Sequence, residues 1–169
     1  MPTIAEQVGK FEPLLSFRFR LFFDEIGGSP LQSSEQCEIS VVSAVLPNES
    51  SEEIEVKAGG EVVYYAGGIK YENMEVVCRD SVDAAVYSFL KTWRRKVLDE
   101  TTGLRGYKRN YAGTARIQQY DPLEVVVKEW KLMGIWPQAI NSNTADNDSN
   151  DQMKINATFR YDKAIATIM

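Results

Sequence analysis

The 169 residues include no histidine. That absence excludes a Ser–His or Cys–His nucleophile pair and any His-ligated metal. Cysteine is scarce: Cys37 and Cys78 fall in predicted strands beside Ile39 and Val76, as small apolar core residues rather than ligands. A disulfide between them requires those strands to be neighbours. No apolar run approaches the ~20 residues of a spanning helix. The first residues, Met1-Pro-Thr-Ile-Ala-Glu-Gln-Val, lack the basic and apolar regions of a signal peptide. The sequons at Asn48, Asn147 and Asn156 therefore carry little weight.

An excess of positive charge is also missing: the net charge is −5, unlike the basic face of a nucleic-acid binder. The charge is unevenly placed. Residues 1–80 hold 6 basic and 14 acidic side chains, 81–120 hold 8 and 3, and 121–169 hold 5 and 7. Such a split suits a protein that docks head to tail on copies of itself. It equally describes a helix with a solvated basic face.

What is present is β pattern. After an N-terminal segment, residues 1–13, a single domain covers 14–169. Leu15, Phe17, Phe19, Leu21 and Phe23 alternate with Ser16, Arg18, Arg20 and Phe22, as in a strand with one face in the core. A second strand over 36–45 puts Cys37, Ile39 and Val41 opposite Gln36, Glu38 and Ser40. Residues 48–68 are acidic and strand-like without clear alternation, and carry Gly59-Gly60 and Gly67-Gly68. This is the pattern of an extended arm without a core of its own, or of an ordinary edge hairpin. A strand over 69–79 follows, then a helix over 82–98 capped by Asp80 or Ser81. Its stripe is Val82, Val86, Phe89, Leu90, Trp93 and Val97. Lys91, Arg94, Arg95 and Lys96 gather at its C-terminal end, where cations favour the helix dipole. A basic loop over 99–113, a strand over 114–120 and a long strand from 123 come next. The long strand ends at Gly134-Ile-Trp-Pro137, where Pro137 lacks the N–H of a central ladder. A polar loop over 141–152 leads to a final strand over 153–161. The fold class is mainly β: an antiparallel sandwich or barrel with one flanking helix.

No catalytic, cofactor or metal residue emerges. Asp146-Asn-Asp-Ser-Asn150 begins like a calcium loop but has Asp151 where glycine is needed and Ala157 where the closing glutamate belongs. The glycine pairs fit no phosphate loop. Tyr107, Tyr111 and Tyr120 with the basic residues do not form a stacking surface on one assignable face. Glu38, Glu72, Glu75, Glu124 and Glu129 lie on candidate strands with no aromatic cleft around any pair. An enzyme is not expected.

Several local sequences stand in a telling order. Val42-Ser-Ala-Val-Leu-Pro47 closes the second strand, the glycine-bearing arm follows, then the helix with Phe89 and Trp93. Next come Tyr107-Lys-Arg-Asn-Tyr-Ala-Gly-Thr-Ala-Arg-Ile-Gln-Gln-Tyr120 and Lys131-Leu-Met-Gly-Ile-Trp-Pro137. Over about residues 14–161 the chain resembles the tail tube proteins of contractile-tailed bacteriophages, related in fold to the type VI secretion tube. The resemblance implies a ring-forming β domain whose hexamers stack into the inner tail tube, with one sheet lining a conduit for DNA ejection. Implied partners are copies of itself, the tail sheath, baseplate and tail-terminator proteins, and the tape-measure protein and DNA in the lumen, without membrane insertion. The implied location is the virion tail, after synthesis in the host cytoplasm. Alternatives are a tube initiator or terminator, or a carbohydrate-binding sandwich. Expected at subunit contacts are Glu49, Glu52, Glu53, Glu55, Gly59, Gly60, Tyr64, Tyr65, Gly67 and Gly68 of the arm, facing Arg94, Arg95, Arg105, Lys108 and Arg109. Glu38 and Ser40, on the polar face of their strand, are expected to face the lumen.

Overall fold

A computed structural model of the chain describes residues 13–30 and 40–169. In chain order its strands are β1 (Phe19–Ile26), β2 (Ser29–Pro30), β3 (Val41–Ala44), β4 (Glu49–Ala58), β5 (Glu61–Tyr71) and β6 (Met74–Arg79). Two helices follow, α1 (Ala85–Val97) and α2 (Lys108–Tyr111), then β7 (Gly113–Tyr120), β8 (Val126–Ser142), β9 (Lys154–Arg160) and β10 (Lys163–Ile168). Every strand pairing is antiparallel.

Two sheets share one strand. The first half of β8 lies between β7 and β10, and the second half pairs with β9, which continues to β6 and β3. On the far side of β7 lies β1, whose end pairs with the short β2. The register between β8 and the β9–β10 stretch is continuous through the bend: Met133 faces Lys163 and Trp136 faces Arg160. Thus one strand pair turns the corner from sheet to sheet. This corrects the expected stop at Pro137, because β8 continues to Ser142. Beyond Ile135 no strand among the described residues flanks its β7 side, and a bulge follows Pro137. Edges and bulges are where a strand tolerates proline.

The core lies between the two sheets and α1. Leu21 and Phe23 of β1 alternate into it as the pattern required, and a bulge at Asp24 resets the parity so that Ile26 is also buried. β7 alternates perfectly, with Ala115 and Ile117 inside and Thr114, Arg116 and Gln118 outside. The helix covers the core with Val86, Leu90 and Trp93. Trp93 meets Phe23 edge-on at 5.4 Å and Phe159 at 5.6 Å, and its Nε1–H donates to the Tyr111 carbonyl at 2.7 Å. Trp136, by contrast, is half-buried beside Tyr111. The core tryptophan is the helical one.

Other boundaries shift. The helix starts at Ala85 rather than 82, because Ala84 adopts a left-handed backbone (φ 52°) and Asp80 and Ser81 bond within their own turn. Val82 is therefore solvent-exposed. The strand expected over 69–79 is broken at Glu72-Asn73, its first residues belonging to β5. β10, unanticipated, completes the first sheet. Cys37, Glu38 and Ile39 lie outside the described residues, while Cys78 is a buried free thiol.

Candidate assembly surfaces

Among the described residues β4 and β5 pair only with each other, forming a two-stranded sheet separate from the larger one. Gly59 and Gly60 make its tip with φ of 61° and 85°, the double left-handed geometry of a tight hairpin turn. Gly67-Gly68 is a bulge opposite Glu52, where a Cβ on Gly67 would lie 2.8 Å from the Glu52 carbonyl oxygen. Nearly every side chain of the hairpin is exposed. Its register nevertheless sorts them. Ile54 faces Tyr65 and Val56 faces Val63 on one side, while Glu53, Glu55 and Lys57 face Ala66, Tyr64 and Val62 on the other. The arm is thus amphipathic toward its tip, with an apolar face that no part of the described chain covers. A lone hairpin is marginal in water. Its root is tied down: Tyr71 packs on Tyr161 at 5.8 Å, and the Tyr161 hydroxyl is hydrogen-bonded to the main chain of Asn48.

The basic residues form a second surface. Arg94 and Arg105 line one cleft with Val97, Leu98, Tyr111 and Trp136. Arg95 and Lys96 are exposed on the same helix. Lys91 pairs with Glu100, Lys108 with Asp162, and Arg109 lies 5.2 Å over the Tyr107 ring. Among the described residues, Glu49, Glu52, Glu53, Arg94, Arg95 and Arg105 form no ion pair, and Glu55 pairs only with Lys57 on its own strand.

A third surface is the outward face of β1, β7, β8 and β10. Arg116 donates from Nε and Nη2 to the two carboxylate oxygens of Asp24, each at 2.8 Å, and sits 3.9 Å from Glu129. These carboxylates hold the guanidinium pKa above its already high ordinary value, the Asp24 hydrogen bond foremost. Gln118 donates to Glu129 and accepts from the Tyr120 hydroxyl at 2.6 Å, and Arg20 lies 5.0 Å over the Tyr120 ring. The result is a polar chain from strand to strand in which Arg116 and Arg20 are held, while Lys131, in register with Arg116, and Lys163 are exposed on the same face and form no ion pair among the described residues. Ser40, expected at a channel wall, is half-buried and hydrogen-bonded to Cys78. Glu38 lies outside the described residues. The cross-strand network was missed in sequence because it depends on the Asp24 bulge.

Among the described residues the sheet carrying this face has two unpaired edges: no strand pairs with the outer side of β1 from Phe19 to Asp24, and β10 pairs with β8 alone. The profile of the phage tail tube protein family matches residues 11–166. The chain belongs to that family. The tail tube protein of Serratia phage KSP90 is 22% identical over 152 residues, 89% of this chain and 85% of that protein. A chain of the extended sheath–tube complex of the PVC extracellular contractile injection system superposes with a TM-score of 0.69 at 15% identity, covering 99% of this chain and 100% of that one. A chain of the anti-feeding prophage cap, which terminates its tube, gives 0.71 at 16% identity over 100% of both chains. At these identities the likeness establishes a shared fold. This tail tube protein is accordingly a structural protein, mainly β, with the exposed hairpin and the two-edged sheet as its distinguishing surfaces.

Proposed function

We propose that six copies close into a ring through the free sheet edges, and that rings stack into the inner tube of a contractile phage tail. The observation that carries this is the two-edged sheet. Its four main strands alternate in direction, so β10 of one copy meets β1 of the next antiparallel, and the pattern repeats around the ring. Free edges are aggregation sites unless paired, and closure into a barrel removes them. The outward face of the sheet then becomes the channel wall. Its cross-strand network supports passive conduction, since guanidinium groups already held by carboxylates or stacked on rings are poorly placed to release counterions from DNA phosphates. No turnover is involved. The hairpin reaches an adjacent ring, its acidic side meeting basic residues of a neighbour. Sheath, baseplate and terminator proteins bind the outside and ends, while tape-measure protein and DNA occupy the lumen. The subunit is made in the host cytoplasm and resides in the virion tail.

Negative-stain electron microscopy of the purified chain tests this. Six-fold rings and stacks of them are expected. A protein that stays monomeric at all concentrations overturns it. Growth stopping at a single ring would favour a junction role at the tube end.

A further inference from the structure

The two edges of the four-stranded sheet match in length, face and charge. Of the eight residues of β1, Glu25 and Ile26 pair with β2, which leaves the six from Phe19 to Asp24 open. β10 also offers six, Lys163 to Ile168. What they pack on fixes their faces. Leu21 and Phe23 point into the core, as does Ala164, in register with the buried Leu132. Arg20 and Phe22 point outward, Phe22 in register with Arg116. Lys163 and Ile165 point outward too, in register with Met133 and Lys131.

A shift of one residue in a strand pair turns its buried set to the other face. Only every second register therefore keeps the core sides of β1 and β10 together. Full overlap is one of them. It sets Phe19 opposite Ile168, Phe22 opposite Ile165 and Asp24 opposite Lys163. Sliding β10 two residues toward Ile26 is blocked, because β2 occupies that edge. Sliding it two residues the other way sets Lys163 against Phe22 and Ile165 against Arg20, and leaves Asp24 beyond the end of β10. Apolar and opposite-charge pairs directly across a sheet stabilise it, so full overlap wins.

The side chains at these positions are ready for such partners. Lys163 is exposed and forms no ion pair among the described residues. Asp24 already holds Arg116, and a carboxylate has room for further donors. Ile165 is 41% and Ile168 79% exposed. On the core side of Phe19 a cleft of about 360 Å³ opens between Phe17, Val42, Ala44 and Leu46.

We propose that β10 of one copy pairs with β1 of the next in full overlap, its Ile168 filling the cleft between β1 and β3, its Ile165 lying on Phe22 and its Lys163 on Asp24. This rests on ring closure through the sheet edges and adds the register and the socket. Asp24 then bridges Arg116 of its own copy and Lys163 of the neighbour, which carries the polar chain across the seam between subunits.

Disulfide trapping tests the register. Residues directly opposite in an antiparallel pair have Cα atoms about 4.5–5.5 Å apart, within reach of a disulfide, whereas diagonal ones at about 7–8 Å are not. In a Cys37→Ser background, Arg20→Cys with Thr167→Cys is expected to give covalent multimers up to the hexamer on non-reducing gels after treatment with oxidised glutathione. Arg20→Cys with Ile165→Cys, and Phe22→Cys with Thr167→Cys, lie two residues out of register and are expected to stay largely monomeric on the same gels. Ile168→Asp is expected to leave the melting temperature of the subunit unchanged. It should cut the ring population about tenfold or more, the change in an equilibrium constant that losing one buried apolar contact of this size produces. Rings in which a shifted pair cross-links and the aligned pair does not, or Ile168→Asp rings as abundant as the parent's, overturn the register while ring closure stands. A parent chain that forms no rings overturns ring closure itself.

Discussion

Gly134 and Asp162 face each other across the corner that joins the two sheets. Gly134 has φ 70°, and a Cβ there would lie 2.2 Å from Asp162 Oδ2. The Asp162 N–H donates to the Met133 carbonyl at 3.0 Å, and its carboxylate pairs with Lys108 of α2. One glycine thus permits the bend, the close approach of the facing strand and the tie to the basic loop. Gly134→Ala is expected to destabilise the subunit by about 2–4 kcal/mol, combining left-handed strain with the clash. Adding Asp162→Ala should recover part of this, by relieving the contact with the carboxylate but not the backbone strain. Urea unfolding of the two variants checks it, and an additive double variant would show that the two residues do not communicate.

Ala84 ends the turn before α1 in the left-handed region, at φ 52°, with no side-chain cap on the helix. Ala84→Gly removes the Cβ that makes this conformation costly. The gain is partly offset by the larger unfolded-state freedom of glycine. The expected net is a stabilisation of about 0.5–1 kcal/mol, whereas Thr92→Gly in the helix interior should destabilise by about 0.3 kcal/mol, because threonine is itself a weak helix former. Thermal melts of the two variants should move in opposite directions.

The parts of this fold legible in sequence are those where period and burial agree. β1 and β7 alternate and are buried on one face, so their core sides follow directly. The hairpin hid its order because β5 runs Val62-Val63-Tyr64-Tyr65 with large residues on both faces; only the register with β4 separates an apolar side. Pro137 suggested a stop because sequence does not show that β8 loses its neighbour beyond Ile135. β10 was overlooked because Ala164 and Ala166 carry little β propensity, and its strand is fixed by pairing with β8. The arm itself stood out in sequence through its glycines and its charge. The Arg116 network was not, since it needs three strands in register.

Cys78 supplies a pH signature of the core. Burial pushes its thiol from the ordinary 9.0 up to about 11, with a hydrogen bond from Ser40 working slightly the other way. Its folded pKa is raised, so the stability it contributes is complete below about pH 9 and declines until about pH 11. Over that window the unfolded chain releases the proton and the folded chain keeps it. Unfolding free energies measured from pH 8 to 11 should fall by about 2–3 kcal/mol more in the parent than in Cys78→Ala, since each pKa unit is ~1.4 kcal/mol. Parallel slopes would mean the thiol is not shielded as described.

Among the described residues the hairpin glutamates form no ion pair beyond Glu55–Lys57 and Arg94, Arg95 and Arg105 form none, and charges of opposite sign on separate surfaces invite pairing between copies. Each exposed pair contributes up to about 1 kcal/mol, so the rate of encounter is more sensitive than the final affinity. Tube growth followed by light scattering should slow as salt rises from 50 to 500 mM, over which the Debye length shrinks from roughly 14 to 4 Å. Arg105→Glu should slow growth at low salt, and Glu53→Lys added to it should restore part of the rate. Growth rates flat across this range, or no rescue by any charge exchange between hairpin and helix, would assign the hairpin contact to its apolar face alone.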